Sequence, residues 1–308
     1  LLLDGIASVG LKGYMMSSIA IEQRDNGISV LCDDRAAQRQ VLFVATNARF
    51  RTHIHPLNAP GSECALTRFR PVDHPWQYGV FFGLNDVNGY NFWCCGDAVY
   101  PPEVTGMMRQ RPPAEIQASA HAAEISVVSD WLRPDGGLLL EERQTIRIPA
   151  QDFEHSYSVD LSWELSASQG DIVIGASDYG GLAARLVGGR ATKRHWNSEG
   201  RTGDDCAEQP ARWVSVAQPV DGVGIWSRET RDSYAYAGLA IFDHPDNVRF
   251  PNRWRVDRDG LINPAPALAG EFSIPNKSTL LLRYRLFVFT GAGDPAQIED
   301  AYSTWSTQ

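Results

Sequence analysis

The chain of 308 residues sets 28 Lys and Arg against 37 Asp and Glu, a formal net charge of −9 at pH 7. That balance argues against nucleic acid, whose phosphates call for a basic footprint. No run approaches the roughly 20 consecutive apolar residues of a membrane span, while 43% hydrophobic residues at this length suffice for a sizeable core.

Along the chain, apolar residues alternate with period two, the signature of half-buried strands. Residues 17–22, 27–32 and 41–45 open the series, followed by 123–128, 144–148, 156–165 and 172–176. Segments 212–216, 222–226, 236–242 and 279–289 complete it. Turn signals such as Asp25-Asn26-Gly27, Pro134-Asp135-Gly136-Gly137 and Asp221-Gly222 fall between them. One amphipathic helix is predicted at the end, Asp294 to Trp305, with Pro295 in its first turn and Ile298, Ala301, Tyr302 and Trp305 on one face. There is no internal repeat and no linker. The expectation is one domain over 1–308, all-β, a large antiparallel two-sheet β-sandwich with a short C-terminal helix.

Five cysteines, an odd number, with Cys94 and Cys95 adjacent and no C-x-x-C spacing, favour a reduced, cytoplasmic setting. The opening Leu1-Leu2-Leu3-Asp4 lacks the basic flank of a signal peptide. Twenty-five of the 28 basic residues are Arg, the side chain that grips carboxylates bidentately and stacks on rings. Nine Trp, ten Tyr and twelve Phe serve a β-core equally well as a sugar platform.

Three segments interrupt the strand pattern, about 53–100, 177–212 and 243–264, and their density of rings, His and Arg marks them as functional. The first holds His53, His55 and the run Asp73-His74-Pro75-Trp76-Gln77-Tyr78-Gly79. An imidazole beside a carboxylate is an acid–base unit if the side chains converge, although neighbours on a strand point to opposite faces. His53, His55 and His74 have a spacing that a metal could use, with hydrogen-bonded structural histidines as the plainer reading. The second segment holds Asp178-Tyr179-Gly180-Gly181 and Arg185, the third Asp243-His244-Pro245-Asp246-Asn247, Trp254 and Arg255. The tripeptide Asp-His-Pro occurs in both the first and third. No G-x-S-x-G elbow, H-E-x-x-H, Rossmann glycine pattern or Walker loop is present.

Together the segments resemble the PmoA-type domain family, bacterial proteins found beside sugar-catabolic genes. The resemblance covers about 50–305 and rests on His55-Pro56-Leu57, Asp73-His74-Pro75 with Gly79, and Asp86-Val87-Asn88-Gly89 to Phe92-Trp93. Further matches are Asp178-Tyr179-Gly180-Gly181-Leu182 with Arg185, Arg212-Trp213-Val214, His244-Pro245-Asp246-Asn247 to Pro251, Trp254 and Arg283-Tyr284-Arg285. The label refers to a membrane-embedded methane-oxidising enzyme; a chain with no apolar span gives it no support as a guide to function. Where the family commonly reads Asp-His-Pro-His-His-Arg-Gly, this chain has Trp76, Gln77 and Tyr78 before Gly79, and Arg255 stands where a His often follows the Trp. The lost imidazoles count against a metal site, and no cofactor is expected.

The resemblance implies a sandwich of the galactose-mutarotase kind and a sugar or glycoside ligand. On that reading the chain is a carbohydrate-active enzyme, a glycoside hydrolase or lyase. His74 and His244 form its acid–base pair, and Asp73, Asp178 or Asp243 orients one ring or supplies a second acid. Arg185 and Arg255 hold the substrate, Trp76, Trp93 and Trp254 stack on it, and His55, Gln77, Asp86, Asn88, Tyr179 and Asn247 complete the cleft. The alternatives are an aldose epimerase or mutarotase and a non-catalytic sugar-binding protein. The oligomeric state is left open, a homo-oligomer included.

Overall fold

A computed structural model describes residues 18–33, 38–95, 100–119, 121–187, 193–220 and 236–308. Its first strands are β1 (Ile19–Arg24), β2 (Gly27–Asp33), β3 (Gln38–Ala45), β4 (His53–Leu57), β5 (Val80–Leu84) and β6 (Met107–Ala118). Next come β7 (Ala122–Leu132), β8 (Leu138–Pro149), β9 (Ser156–Ser166), β10 (Ile172–Ile174), β11 (Gly180–Arg185) and β12 (Arg194–Asn197). The last are β13 (Trp213–Pro219), β14 (Tyr236–Asp243), β15 (Trp254–Val256), β16 (Leu261–Pro264), β17 (Phe272–Ile274) and β18 (Thr279–Thr290), then the helix α1 (Pro295–Trp305).

Among the described residues, two eight-stranded sheets face each other. The first runs β1-β2-β3-β4-β5-β11-β16-β15 and the second β12-β13-β14-β18-β9-β8-β7-β6, while β10 and β17 pair apart from both. Neighbouring strands are antiparallel. This is the large two-sheet antiparallel sandwich with a C-terminal helix that the alternation predicts. Side chains from the inner faces of both sheets form one continuous core, among them Phe82, Leu182 and Ile262 from the first and Trp131, Trp163 and Leu286 from the second. Each large side chain so buried stabilises by roughly 1.5–3 kcal/mol.

Several strands lie inside segments read as loops from sequence. β5 and β11 are buried on every residue, so neither alternates. β11 is also Gly- and Ala-rich, a composition with little strand propensity. β6 is an edge strand that carries Pro112 and Pro113, where no further ladder bond is needed. The strand expected at 222–226 lies outside the described residues.

The helix forms where predicted. The Asp294 carboxylate accepts the Ala296 N–H at 2.9 Å, capping the first turn. Ile298, Tyr302 and Trp305, with Ala301 beside them, then cover Trp213, Phe242 and Phe287 on the outer face of the second sheet. Among the inward polar residues is Glu142 of β8, whose Oε2 accepts the Trp131 indole N–H at 2.5 Å. Burial lifts its carboxyl to about 7, against the pull of that hydrogen bond and of Arg51.

Candidate active site

Strands β4, β5, β11 and β16 lie side by side, so alternate residues of each share the outer face of the first sheet. Inward go Ile54, Val80, Phe82, Leu182, Ala184 and Ile262. Outward go Phe81, Ala183 and Leu261, which form a separate cluster with Tyr78 and Trp93. The register sets His53 opposite Phe81, Phe81 opposite Ala183, and Arg185 opposite Leu261. One step along, Gly79 sits between the His55 and Arg185 strands, its carbonyl accepting the Arg185 N–H at 2.8 Å. Gly79 has φ +67°, and a Cβ there would strike Ile54 O and come within 2.9 Å of the His55 Cβ. Only glycine leaves this row open.

Residues 70–77 fold over one end of the face as successive turns: Arg70 N–H donates to Gln77 O at 2.8 Å, His74 N–H to Pro71 O at 3.0 Å, and Gln77 N–H to His74 O at 3.0 Å. Because this is turn and not strand, Asp73 and His74 converge instead of pointing apart. His74 Nδ1 lies 2.9 Å from Asp73 Oδ2. In the neutral ring Nδ1 therefore carries the proton, leaving Nε2 as the open lone pair. Trp76 stands edge-on to the His74 ring, centroids 5.2 Å apart.

Arg185 lies behind the pair, 2% exposed, with Nη2 3.5 Å from Asp73 Oδ2 and 4.0 Å from Asp259 Oδ2. Burial pulls the Asp73 carboxyl up, but the His74 hydrogen bond and the Arg185 charge outweigh it and hold the group below its usual value. Lys193 donates to the Asp259 carbonyl at 3.1 Å, and burial together with Arg185 lowers its amine to about 8. Arg68 adds a third cation felt by both Arg185 and Lys193. Among the described residues two buried donors here have no acceptor, Trp76 Nε1 and Arg185 Nε. The sequence reading missed Arg68, Lys193 and Asp259. The available signal for Asp259 was its place in Asp257-Arg258-Asp259-Gly260, a turn that sets the carboxylate at a strand end.

Of the other expected residues, His55 is on this face, its Nδ1 2.9 Å from Thr67 Oγ1 and its ring stacked on Phe69 at 5.3 Å. Phe69 also stacks on His53, whose burial lowers it to about 4. Among the described residues no three His, Cys, Asp or Glu side chains are arranged to hold a metal ion. Gln77 is buried beneath the turn. Arg255 also borders the face, tied to Asp257 Oδ1 at 2.7 Å. Tyr179 and Trp93 pack together at 5.2 Å, and Tyr179 OH meets Tyr100 OH at 3.4 Å. Six residues of strand separate Tyr179 from Arg185, ~20 Å at the usual rise. The exposed Asp178 belongs to that far end, so it does not orient His74. Trp93 is 3% exposed and presents no open platform.

The remaining expected residues lie elsewhere. His244 is not the partner of His74. It follows β14, in which Ala240 and Phe242 face outward toward α1, and its ring stands against Trp305 at 5.1 Å on the outer face of the second sheet. The whole core separates the two imidazoles. Asp243, one residue earlier, is 0% exposed, and its oxygens accept from Asn247 Nδ2 at 2.7 Å and from Asn252 N at 2.9 Å. Asn247 itself bridges Asp243 to the Arg283 backbone, a structural strut. Trp254 is a core residue that donates to Ala211 O at 2.8 Å. Asp86 accepts the Gly89 N–H at 2.8 Å within a turn, and Asn88 accepts the Val173 N–H at 2.6 Å, locking that turn to β10.

Fold and face thus define a two-sheet antiparallel β-sandwich with a paired imidazole and carboxylate, and clustered cations, on one outer face. The chain belongs to the family described as "Family of unknown function (DUF6807)", whose model matches residues 28–303. No curated protein matches it. Among solved structures it is similar to galactose 1-epimerase from Lactobacillus acidophilus NCFM, at 7% identity and TM-score 0.38 over 90% of this chain and 99% of that one. It is also similar to the α-galactosidase from Lactobacillus brevis, at 11% identity and TM-score 0.31 over 89% of this chain and 40% of that one. No helix among the described residues is long and apolar enough to cross a membrane.

Proposed function

We propose that the protein is a carbohydrate-active enzyme, a glycoside hydrolase or lyase, whose acid–base group is His74. The observation that carries this is the Asp73–His74 contact at 2.9 Å, on a face where both side chains remain reachable at 49% and 37% exposure. Asp73 orients the ring, fixes Nε2 as the base and stabilises the imidazolium once Nε2 takes a proton. Asp259, across Arg185 from Asp73, is the second carboxylate in place of His244. Arg68, Arg185 and Lys193 supply positive potential for charge that develops on the substrate. Trp76 stands beside the reacting group, its ring centroid 5.2 Å from that of His74. The assignment to sugars rests on the resemblance of the three segments and on this mixture of rings, carboxylates and guanidinium groups.

The test compares turnover and unfolding temperature in three variants. His74→Ala and Asp73→Asn should lose activity with little change in stability, and His244→Ala should keep activity. Loss of activity in His244→Ala with retention in His74→Ala would contradict the assignment.

A further inference from the structure

His244 lies in a cleft of its own. The outer face of the second sheet carries two cross-strand rows over β7, β8, β9 and β18. The registers align Glu124, Arg147, Asp160 and Arg285 in one, and Ser126, Thr145, Ser162 and Arg283 in the next. His244 and Trp305 stand at the end of these rows, so that floor and wall enclose about 270 Å³ lined by Glu124, Thr145, Arg147, Asp160, Ser162 and Arg283 with them.

The charges in this cleft are already matched. Arg285 holds Asp160 through two N–H groups at 2.6 and 2.8 Å, Arg147 approaches Asp160 at 3.8 Å, and Arg283 pairs with Asp246. The charged side chains that line the cleft, Arg147 and Arg283 against Glu124 and Asp160, therefore balance, in contrast to the cation-rich His74 face. A charged ligand would leave one charge uncompensated, whereas hydroxyl groups can use the lone pairs and N–H groups the ion pairs leave over. The His244 ring is a fixed donor. The Asp246 N–H donates to its Nδ1 at 3.1 Å, which places the ring proton on Nε2. Burial, with Arg283 adding to it, favours the neutral imidazole against the pull of Asp246. Ser162 supplies a hydroxyl that can donate and accept, the Thr145 hydroxyl already shares a hydrogen bond with Ser126 at 3.1 Å, and the largely buried Trp305 indole closes one end.

We propose that this cleft is a second binding site, distinct from the His74 face, for a neutral monosaccharide or the terminal unit of a neutral glycan. Charge-balanced donors and acceptors beside an indole, in a space suited to one sugar ring, match that chemistry.

The test is titration of the full chain with D-galactose, D-glucose and N-acetylglucosamine, followed by ligand-observed NMR and thermal shift. Thr145→Trp and Ser162→Tyr fill the cleft from exposed-face positions, with unfolding temperature as the control for folding; His74→Ala is the control for the opposite face. Saturable binding that is lost in both filling variants and retained in His74→Ala is expected. Absence of binding by any of the three sugars, or binding that survives both filled clefts and disappears in His74→Ala, would overturn the second site.

Discussion

Asp73 and His74 are consecutive in the chain and partners in space, Oδ2 to Nδ1 at 2.9 Å. The contact exists because 70–77 is a chain of turns, and it gives one imidazole a fixed tautomer at the mouth of the row that runs from His55 to Arg185. The removal of either partner tests different things. His74→Ala removes the base, and a loss of ~10²–10⁴ in kcat is expected from general acid–base catalysis. Asp73→Asn keeps the turn but weakens the orientation, so its loss should be smaller and the rate should still depend on His74. Both unfolding temperatures should stay close to wild type, because the two side chains are partly exposed.

Lys193 sets a pH dependence on the same face. Its amine is lowered to about 8, so the cation is present at neutral pH and lost as pH rises through that value. Affinity for an anionic substrate or inhibitor should therefore fall above pH 8. Lys193→Met should bind more weakly at pH 7 and show a flatter profile between pH 7 and 9. A profile in the variant as steep as in wild type would assign the titration elsewhere.

Glu142 gives the core a pH dependence of opposite origin. Its folded carboxyl titrates near 7 against an ordinary 4.5, so the folded chain holds this proton more tightly than the unfolded one. Stability from this group is complete below pH 4.5, declines as pH rises to 7, and is level above. Glu142→Gln keeps an acceptor for Trp131 and cannot ionise. It should exceed wild type by up to roughly 3 kcal/mol at pH 8 and by less than about 1 kcal/mol at pH 5 in urea unfolding.

Gly79→Ala should disturb both fold and site. The positive φ and the contacts a Cβ would make with Ile54 O and His55 lead us to expect a destabilisation of at least about 2 kcal/mol. Gly136→Ala, also at positive φ (84°) but with nothing near its Cβ, should cost only the conformational part. Equal effects would remove the steric argument for an open row.

The sandwich was legible because most of its long strands are half-buried and alternate: β7, β8, β9 and β18 read from their spacing alone. What escaped was the middle of the first sheet. β5 is apolar on both faces and β11 is built from Gly and Ala, so neither has a period to detect. Those two strands run through the middle of the candidate face, and placing them in loops concealed which motif residues share it. Asp73, His74 and Arg185 were found through their motifs, and the turn explains why adjacency in sequence became contact. Asp-His-Pro occurs twice, and the sequence reading paired the histidines of the two copies. The second copy lies at the end of β14, a strand of the opposite sheet, so its histidine faces away across the core. Trp254 and Asn247 stood in a motif-rich segment for structural reasons, one as core and one as strut; sequence does not distinguish a buried ring from a stacking ring.

Proton NMR of the purified protein with a panel of glycosides, uronides and free sugars, wild type beside His74→Ala, tests the central claim most directly. The account predicts new anomeric signals, or a vinyl proton from elimination, in the wild-type sample alone. Product formed equally well by His74→Ala, or every substrate left intact by the wild-type protein, would contradict it.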